Sequence, residues 1–182
     1  MISMRLEKVS FIYTFSELFA LIRLTSGSGL PFFSGFTDSD FAIGLHELER
    51  KLLVARVGET LSLDRIAAFL ARKVGQASRC AGFVADDYYT GVFLSERTVV
   101  FLRLDQRRWV LTPYPDLPSA LSAFFEYVCR VPPGSLSWAR NRYGEWSQPL
   151  APGEDAPGAG RNALEFAQSN LRPGKEAEPW KQ

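Results

Sequence analysis

The feature that most constrains the fold is a run of four strand-like segments between Arg79 and Tyr114, separated by polar breaks of three or four residues. The segments are rich in β-branched and aromatic residues, which suit a pleated, half-buried surface. Breaks this short join neighbouring antiparallel strands and leave no room for crossover helices. The sequence therefore predicts an antiparallel β-meander. Its strands are Cys80–Ala85, Thr90–Leu94, Thr98–Leu104 and Arg108–Tyr114.

Apolar residues recur at helical spacing on both sides of this run. A strand-like segment, Arg5 to Tyr13, comes first. The fourth helix begins at Asp116-Leu-Pro118, where proline is tolerated because backbone N–H groups in the first turn have no partner within the helix and proline lacks an N–H. We therefore expect an α+β fold, with an antiparallel β-meander of about four or five strands packed against helices. The helices predicted before the meander are 14–25, 38–54 and 63–74.

Composition divides the chain into one domain and a tail. A length of 182 residues fits a single domain, and a hydrophobic fraction of 46% supplies its core. From Pro149 onward proline and glycine dominate. We therefore expect residues 1–148 to form one α+β domain. We expect residues 149–182 to form a flexible Pro/Gly-rich C-terminal tail with one short helix at 162–171.

The cellular location is also predicted from the sequence. No apolar run approaches the ~20 residues that a membrane-spanning helix needs, and the N-terminus lacks the pattern of a secretory signal. Cys80 and Cys129 fall in a strand pattern and a helix pattern, where a free cysteine acts as a small hydrophobe. These features predict a cytoplasmic protein. Its net charge of +1 gives no overall attraction for polyanions.

Sequence motifs for catalysis and cofactor binding are absent from the chain. The single histidine, His46, has no nucleophile or carboxylate that the sequence places beside it. The adjacent acids Asp86 and Asp87 have no further metal ligand at a suitable spacing, so a polar turn is the better interpretation. We therefore predict that the protein is not an enzyme and needs no cofactor or metal.

Aromatic and arginine side chains near strand ends form the candidate partner-binding surface. Tyrosine, tryptophan and arginine make strong interface anchors because they bury a large area at a small entropic cost. We expect Tyr88 and Tyr89 to lie in a turn, which would leave them exposed. Ordinary core packing is the alternative for the same aromatic residues. The candidate residues are Tyr88, Tyr89, Arg107, Arg108, Trp109 and Tyr114.

The third strand of the meander has apolar residues on both faces. Val99 and Phe101 point opposite to Val100 and Leu102, because side chains alternate along a strand. Helices of this chain would cover one face of the sheet. We expect a second copy of the chain to cover the other face, in a two-fold homodimer. The tail and the N-terminal strand are the other candidates for that face.

Three segments and their order suggest a family. They are TFSELFALIRL, VARVGETLSLDRIAAFLARKVGQASR and LPSALSAFFEYV, within a stretch of about residues 6–130. This stretch resembles one half of the EspG-type chaperones of type VII (ESX) secretion, in which a glycine, a helix start and a leucine-rich helix recur. Here Gly58, Leu63-Asp64 and Ile66 to Leu70 stand in those places. The chain departs from the family because it is too short for two halves.

The resemblance implies a non-catalytic cytosolic chaperone or adaptor whose partner is a helical-hairpin protein. The alternative is a winged-helix nucleic-acid-binding protein, because three helices precede strands in that fold. In it, Arg65, Arg72, Lys73 and Arg79 would face phosphates. The near-neutral charge speaks against this alternative, as does the apolar pair Phe69 and Leu70 on the supposed recognition helix.

Overall fold

The computed structural model describes residues 9–27, 29–85, 88–128, 135–149 and 156–172. Over these residues the fold is α+β, as the sequence predicts. A seven-stranded antiparallel sheet is packed against helices, and a separate two-stranded hairpin lies between two of the helices along the chain. The strands are β1 (Phe11–Thr14), β2 (Val54–Val57), β3 (Thr60–Leu63), β4 (Arg79–Ala85), β5 (Tyr88–Ser95), β6 (Thr98–Asp105), β7 (Arg108–Tyr114), β8 (Leu136–Asn141) and β9 (Gly144–Pro149). The helices are α1 (Phe15–Thr25), α2 (Asp38–Arg50), α3 (Arg65–Gly75), α4 (Leu117–Val128) and α5 (Ala156–Leu171).

The main sheet is larger than the expected four or five strands. Its order is β1-β7-β6-β5-β4-β8-β9, so the predicted meander, β4 to β7, forms the middle. The N-terminal strand β1 adds to one edge beside β7, and β8 and β9 add to the other beside β4. The segment around Trp138 and Trp146 was not predicted as strands, although it forms β8 and β9.

Helices α1 and α3 begin at side-chain caps. Thr14 accepts a hydrogen bond from the Glu17 amide at 3.3 Å, and the Glu17 carboxylate accepts one from the Thr14 amide at 2.9 Å. This reciprocal pair is the capping box that the sequence TFSE indicates. Asp64 caps α3 by accepting from the amides of Ile66 and Ala67, at 3.0 and 2.9 Å.

The sheet has a helical layer on each face, and both layers belong to this chain. Helices α1 and α3 pack on the face that carries Phe93 and Leu102, whereas α4 and α5 pack on the face that carries Phe83 and Phe101. The apolar faces of the third meander strand, β6, are therefore covered without a second copy. The argument that led to the homodimer is wrong for this reason, and the homodimer itself stays a prediction.

The predicted short helix at 162–171 lies within a longer helix, and the expectation of a flexible tail is wrong for residues 156–161, which belong to the same helix. This helix is α5, which packs against β4, β8 and α4 and extends the domain past residue 148. Ala163, Ala167 and Leu171 are buried at helical spacing, so the small residues let the helix approach the sheet closely. The small residues of this segment, which are typical of a linker, here allow α5 to pack closely on the sheet. The rest of the predicted tail after residue 149 lies outside the described residues, apart from Arg172.

Helices α1 and α2 cross at a glycine. A Cβ added at Gly44 would overlap the backbone carbonyl oxygen of Ser16 and would lie 3.0 Å from the Cβ of Ala20. Only glycine therefore allows this approach, which brings Leu48 of α2 into the same core as Leu18 of α1.

Candidate partner-binding groove

Two of the predicted surface residues, Tyr89 and Trp109, are fully buried. The Tyr89 hydroxyl donates to the backbone oxygen of Pro31 at 2.9 Å, and burial raises the pKa of this phenol well above its ordinary value. The rings of Tyr89 and Trp109 meet edge to face at 5.5 Å, and Phe33 packs against both. Their assignment to the partner surface is therefore wrong, and the core alternative is correct. The expected turn is also wrong, because Tyr88 and Tyr89 begin strand β5.

An open groove of about 770 Å³ lies where β5 begins and β6 turns into β7. We call it the hairpin groove. Tyr88, which is 37% exposed, and the exposed Arg107 both line it, so the structure brings these two predicted residues together. The residues that line the hairpin groove are Phe15, Phe33, Tyr88, Leu104, Asp105, Gln106, Arg107 and Tyr127.

The other two predicted residues do not line the hairpin groove. Arg108 is exposed on β7, paired in register with Thr14 of β1 and Asp105 of β6. Tyr114 is half-buried at the far end of β7, roughly 20 Å along the strand from Arg108 at the usual rise per residue. It lines a separate groove of about 250 Å³. Tyr114 therefore lies outside the hairpin groove.

Tyr127 of α4 forms one wall of the hairpin groove. Its hydroxyl donates to the Leu104 backbone oxygen at 3.0 Å, and the guanidinium carbon of Arg103 lies 5.5 Å from its ring centroid. Burial raises the pKa of Tyr127, with a smaller opposing effect of Arg103 and reinforcement by Asp105 and Tyr88. The phenol is therefore neutral at ordinary pH, and this wall is aromatic and uncharged.

The walls Phe15, Phe33 and Tyr127 were missed as site residues. They belong to α1, to the segment before α2 and to α4, and only the tertiary fold brings them to one end of the sheet. No short motif in the sequence links these elements. The one sequence feature that pointed to this site was the phenylalanine content of residues 30–36. Phe33 of this segment lines the groove and also packs against the core.

The β6–β7 turn at the rim of the groove holds two non-glycine residues in the left-handed region. Gln106 has a φ of 48° and Arg107 a φ of 62°. Two-residue hairpin turns of this kind favour Asn-Gly, because these residues adopt positive φ at little cost. The chain therefore accepts backbone strain at the position where it presents Arg107.

Replacing Gln106-Arg107 by Asn-Gly is expected to raise the free energy of unfolding by about 1 kcal/mol, because the turn then has its preferred residues. Urea unfolding followed by circular dichroism measures the change. Glu96→Gly is the matched control, since Glu96 has a φ of 51° in the β5–β6 turn, away from the hairpin groove. It should stabilise the fold by a similar mechanism. An unchanged or lower urea midpoint for the Asn-Gly variant would contradict the strain at Gln106 and Arg107.

Two of the chemically reactive residues singled out in the sequence, His46 and Cys80, lie in the described part of the chain. His46 is exposed on α2, and Cys80 is fully buried on β4, where burial raises the pKa of its thiol to about 12. Cys129, Asp86 and Asp87 lie outside the described residues. Within the described part of the chain, no three His, Cys, Asp or Glu side chains come together as metal ligands would. None of the described helices has both the length and the apolar character needed to cross a membrane.

The three N-terminal helices and the strands that follow them do not form a winged helix. Helix α3 packs against β5 and β6 as well as α1, and β4 to β7 are the central strands of a sheet covered on both faces. A wing is instead a small hairpin beside the recognition helix. The structure therefore contradicts the winged-helix fold, and nucleic-acid binding is left to a direct test.

No protein-family model matches this chain, and no curated protein sequence matches it either.

Proposed function

We propose that this protein is a non-catalytic chaperone or adaptor that binds the apolar tip of a helical-hairpin partner protein in the hairpin groove. The observation that supports this proposal is the composition of the groove. Aromatic side chains line it, Tyr88 is partly exposed in it, and the charged residues Asp105 and Arg107 line it as well.

The chemistry of a helical-hairpin tip matches these residues. At such a tip one helix ends with free backbone carbonyls and the next begins with free amides. The Arg107 guanidinium is a donor for the carbonyls, and the Asp105 carboxylate is an acceptor for the amides. Apolar side chains at the tip would lose contact with water against Phe15, Phe33 and Tyr127. One groove therefore offers partners to each part of the tip.

The resemblance to one half of the EspG-type chaperones of type VII secretion agrees with this role. It adds the expectation that the partner is a secretion substrate held in the cytosol. A cytoplasmic location and a homodimer stay predictions.

Replacing both Tyr88 and Arg107 by alanine is expected to weaken capture of the partner by about thirtyfold or more, the loss typical of an interface anchor. The test uses a helical-hairpin protein encoded beside the gene for this chain, with co-purification first and calorimetric titration second. Both residues are exposed or partly exposed, so the fold should persist.

The matched control is the double alanine variant of Arg142 and Tyr143. Here an arginine donates to a tyrosine hydroxyl at 2.6 Å, at the β8–β9 turn near the opposite end and edge of the sheet. This control should bind the partner normally. Equal loss in both variants, or no retained helical-hairpin protein with the unaltered chain, would refute the proposed function. Binding of duplex DNA that weakens steeply with salt would favour the nucleic-acid alternative.

A further inference from the structure

A strip of exposed apolar side chains lies where α2 ends and α3 begins. Leu52 is 86% exposed, Ile66 is 54% exposed and Phe69 is 46% exposed. We call these three residues the apolar strip. None of them lines the hairpin groove, so the strip is a separate surface.

A backbone hydrogen bond brings the segment after α2 to the start of α3. The amide of Asp64 donates to the carbonyl oxygen of Leu53 at 2.7 Å, which holds the segment after α2 against the start of α3. Ile66 follows in the first turn of α3, and Phe69 lies one turn further on the same face of the helix. Leu52 therefore directly precedes the residue that is bonded to the N-cap of α3.

Leu52 occupies a backbone position that usually belongs to glycine. Its φ is 60°, and the amide of Leu53 donates to the carbonyl oxygen of Leu48 at 2.9 Å, which is the closing bond of a Schellman motif. A leucine at this position strains the backbone and exposes apolar surface to water. Since the side chain is 86% exposed, the fold gains almost no packing in return. Contact with another molecule would supply that packing.

Basic side chains accompany the apolar strip. Arg65 and Arg72 are exposed on α3, at positions four residues before and three residues after Phe69. Neither of them forms an ion pair with an acidic side chain in the described ranges. The ammonium of Lys73 lies 5.4 Å from the centroid of the Phe69 ring and 3.6 Å from the Glu96 carboxylate. The surroundings of Phe69 are thus positively charged, with Arg65 and Arg72 available to an incoming anion.

We propose that the apolar strip binds an amphipathic helix of a partner protein whose apolar stripe is flanked by aspartate or glutamate. Leucine-like side chains of that helix would pack on Leu52, Ile66 and Phe69, as in helix-in-groove recognition. Its carboxylates would pair with Arg65 and Arg72, which sets the charge preference of the surface. This proposal is independent of the proposed function, because the two surfaces share no residue.

The test uses two fluorescein-labelled peptides of ~20 residues, long enough to form a helix on binding. Both carry the same leucine stripe, one flanked by glutamates and the other by lysines. Fluorescence anisotropy should show tighter binding of the glutamate peptide. The variant Ile66→Asp/Phe69→Asp should weaken that binding by about tenfold or more. The variant Arg65→Glu/Arg72→Glu should reverse the preference and bind the lysine peptide more tightly. Ile12→Asp, at an equally exposed position on β1, is the control and should bind normally.

Leu52→Gly separates binding from stability. It should weaken peptide binding while raising the melting temperature by about 2–4 °C, because glycine removes the strain at this position. A variant that merely damaged the fold would lower both. Equal affinity for the two peptides, or no binding of the glutamate peptide, would overturn the proposal. Tighter binding to phosphatidylserine vesicles or duplex DNA than to the glutamate peptide would also overturn it.

Discussion

Replacing Trp109 by alanine is expected to lower the free energy of unfolding by about 3–5 kcal/mol. The indole is fully buried, with ring centroids of Phe33, Tyr89 and Phe15 at 5.2, 5.5 and 6.3 Å. Removing it leaves a cavity between β7 and α1 that these rigid rings fill only in part. Urea unfolding followed by far-ultraviolet circular dichroism measures the loss.

The matched comparison for Trp109→Ala is Tyr88→Ala. Tyr88 is an aromatic residue of the neighbouring region, but it is 37% exposed, so its truncation should cost less than about 1 kcal/mol. If the two variants unfold at the same urea concentration, the burial of Trp109 described above is wrong.

Replacing Gly44 by alanine is expected to lower the free energy of unfolding by about 1–3 kcal/mol, the range of overpacking in a core. Helix propensity alone predicts the opposite sign, since alanine stabilises a helix interior by about 1 kcal/mol over glycine. The added methyl group would collide with the Ser16 carbonyl oxygen, which is backbone and cannot rotate away. Helices α1 and α2 must then separate and lose packing at Leu18 and Leu48.

The control for Gly44→Ala is Ala42→Gly, at an exposed position of the same helix. It should destabilise by about 1 kcal/mol, which measures helix propensity without the collision. Thermal unfolding of both variants decides between the two effects. A higher melting temperature for Gly44→Ala would show that α1 and α2 can separate without a loss of stability, and would contradict this prediction.

The local patterns predicted much of the fold. Segments rich in β-branched and aromatic residues, separated by short polar breaks, identified β4 to β7, and the helix predicted at 14–25 is α1. Helix α2 was predicted to reach residue 54 because Leu52 and Leu53 continue its apolar pattern. It ends at Arg50, and two residues later Leu52 adopts a left-handed backbone conformation that ends the helical path. The spacing of apolar side chains does not predict such a change in backbone conformation.

The candidate site was predicted less well than the fold. Tyr88 and Arg107 lie at the surface as expected, but Tyr89 and Trp109 do not. Tyr89 was expected in a turn but belongs to strand β5, and the strand pattern around Trp109 does not show how deeply each face of the sheet is covered. The depth of Tyr89 and Trp109 depends on Phe33, which packs against both rings. Likewise α5 was missed in part because alanine at helical spacing is a weak apolar signal, although Ala163 and Ala167 are buried.

The position of α5 on β4 has a consequence for how the chain is made. Ala81 and Phe83 of β4 belong to the same core cluster as α4 and α5, which the ribosome produces much later than β4. Until then the apolar residues on this face of the nascent sheet remain exposed to water, and exposed apolar surface makes growing chains prone to aggregate. Translation speed across residues 129–171 therefore controls how long the unfinished sheet is at risk, and a pause there would prolong its dependence on ribosome-bound folding helpers.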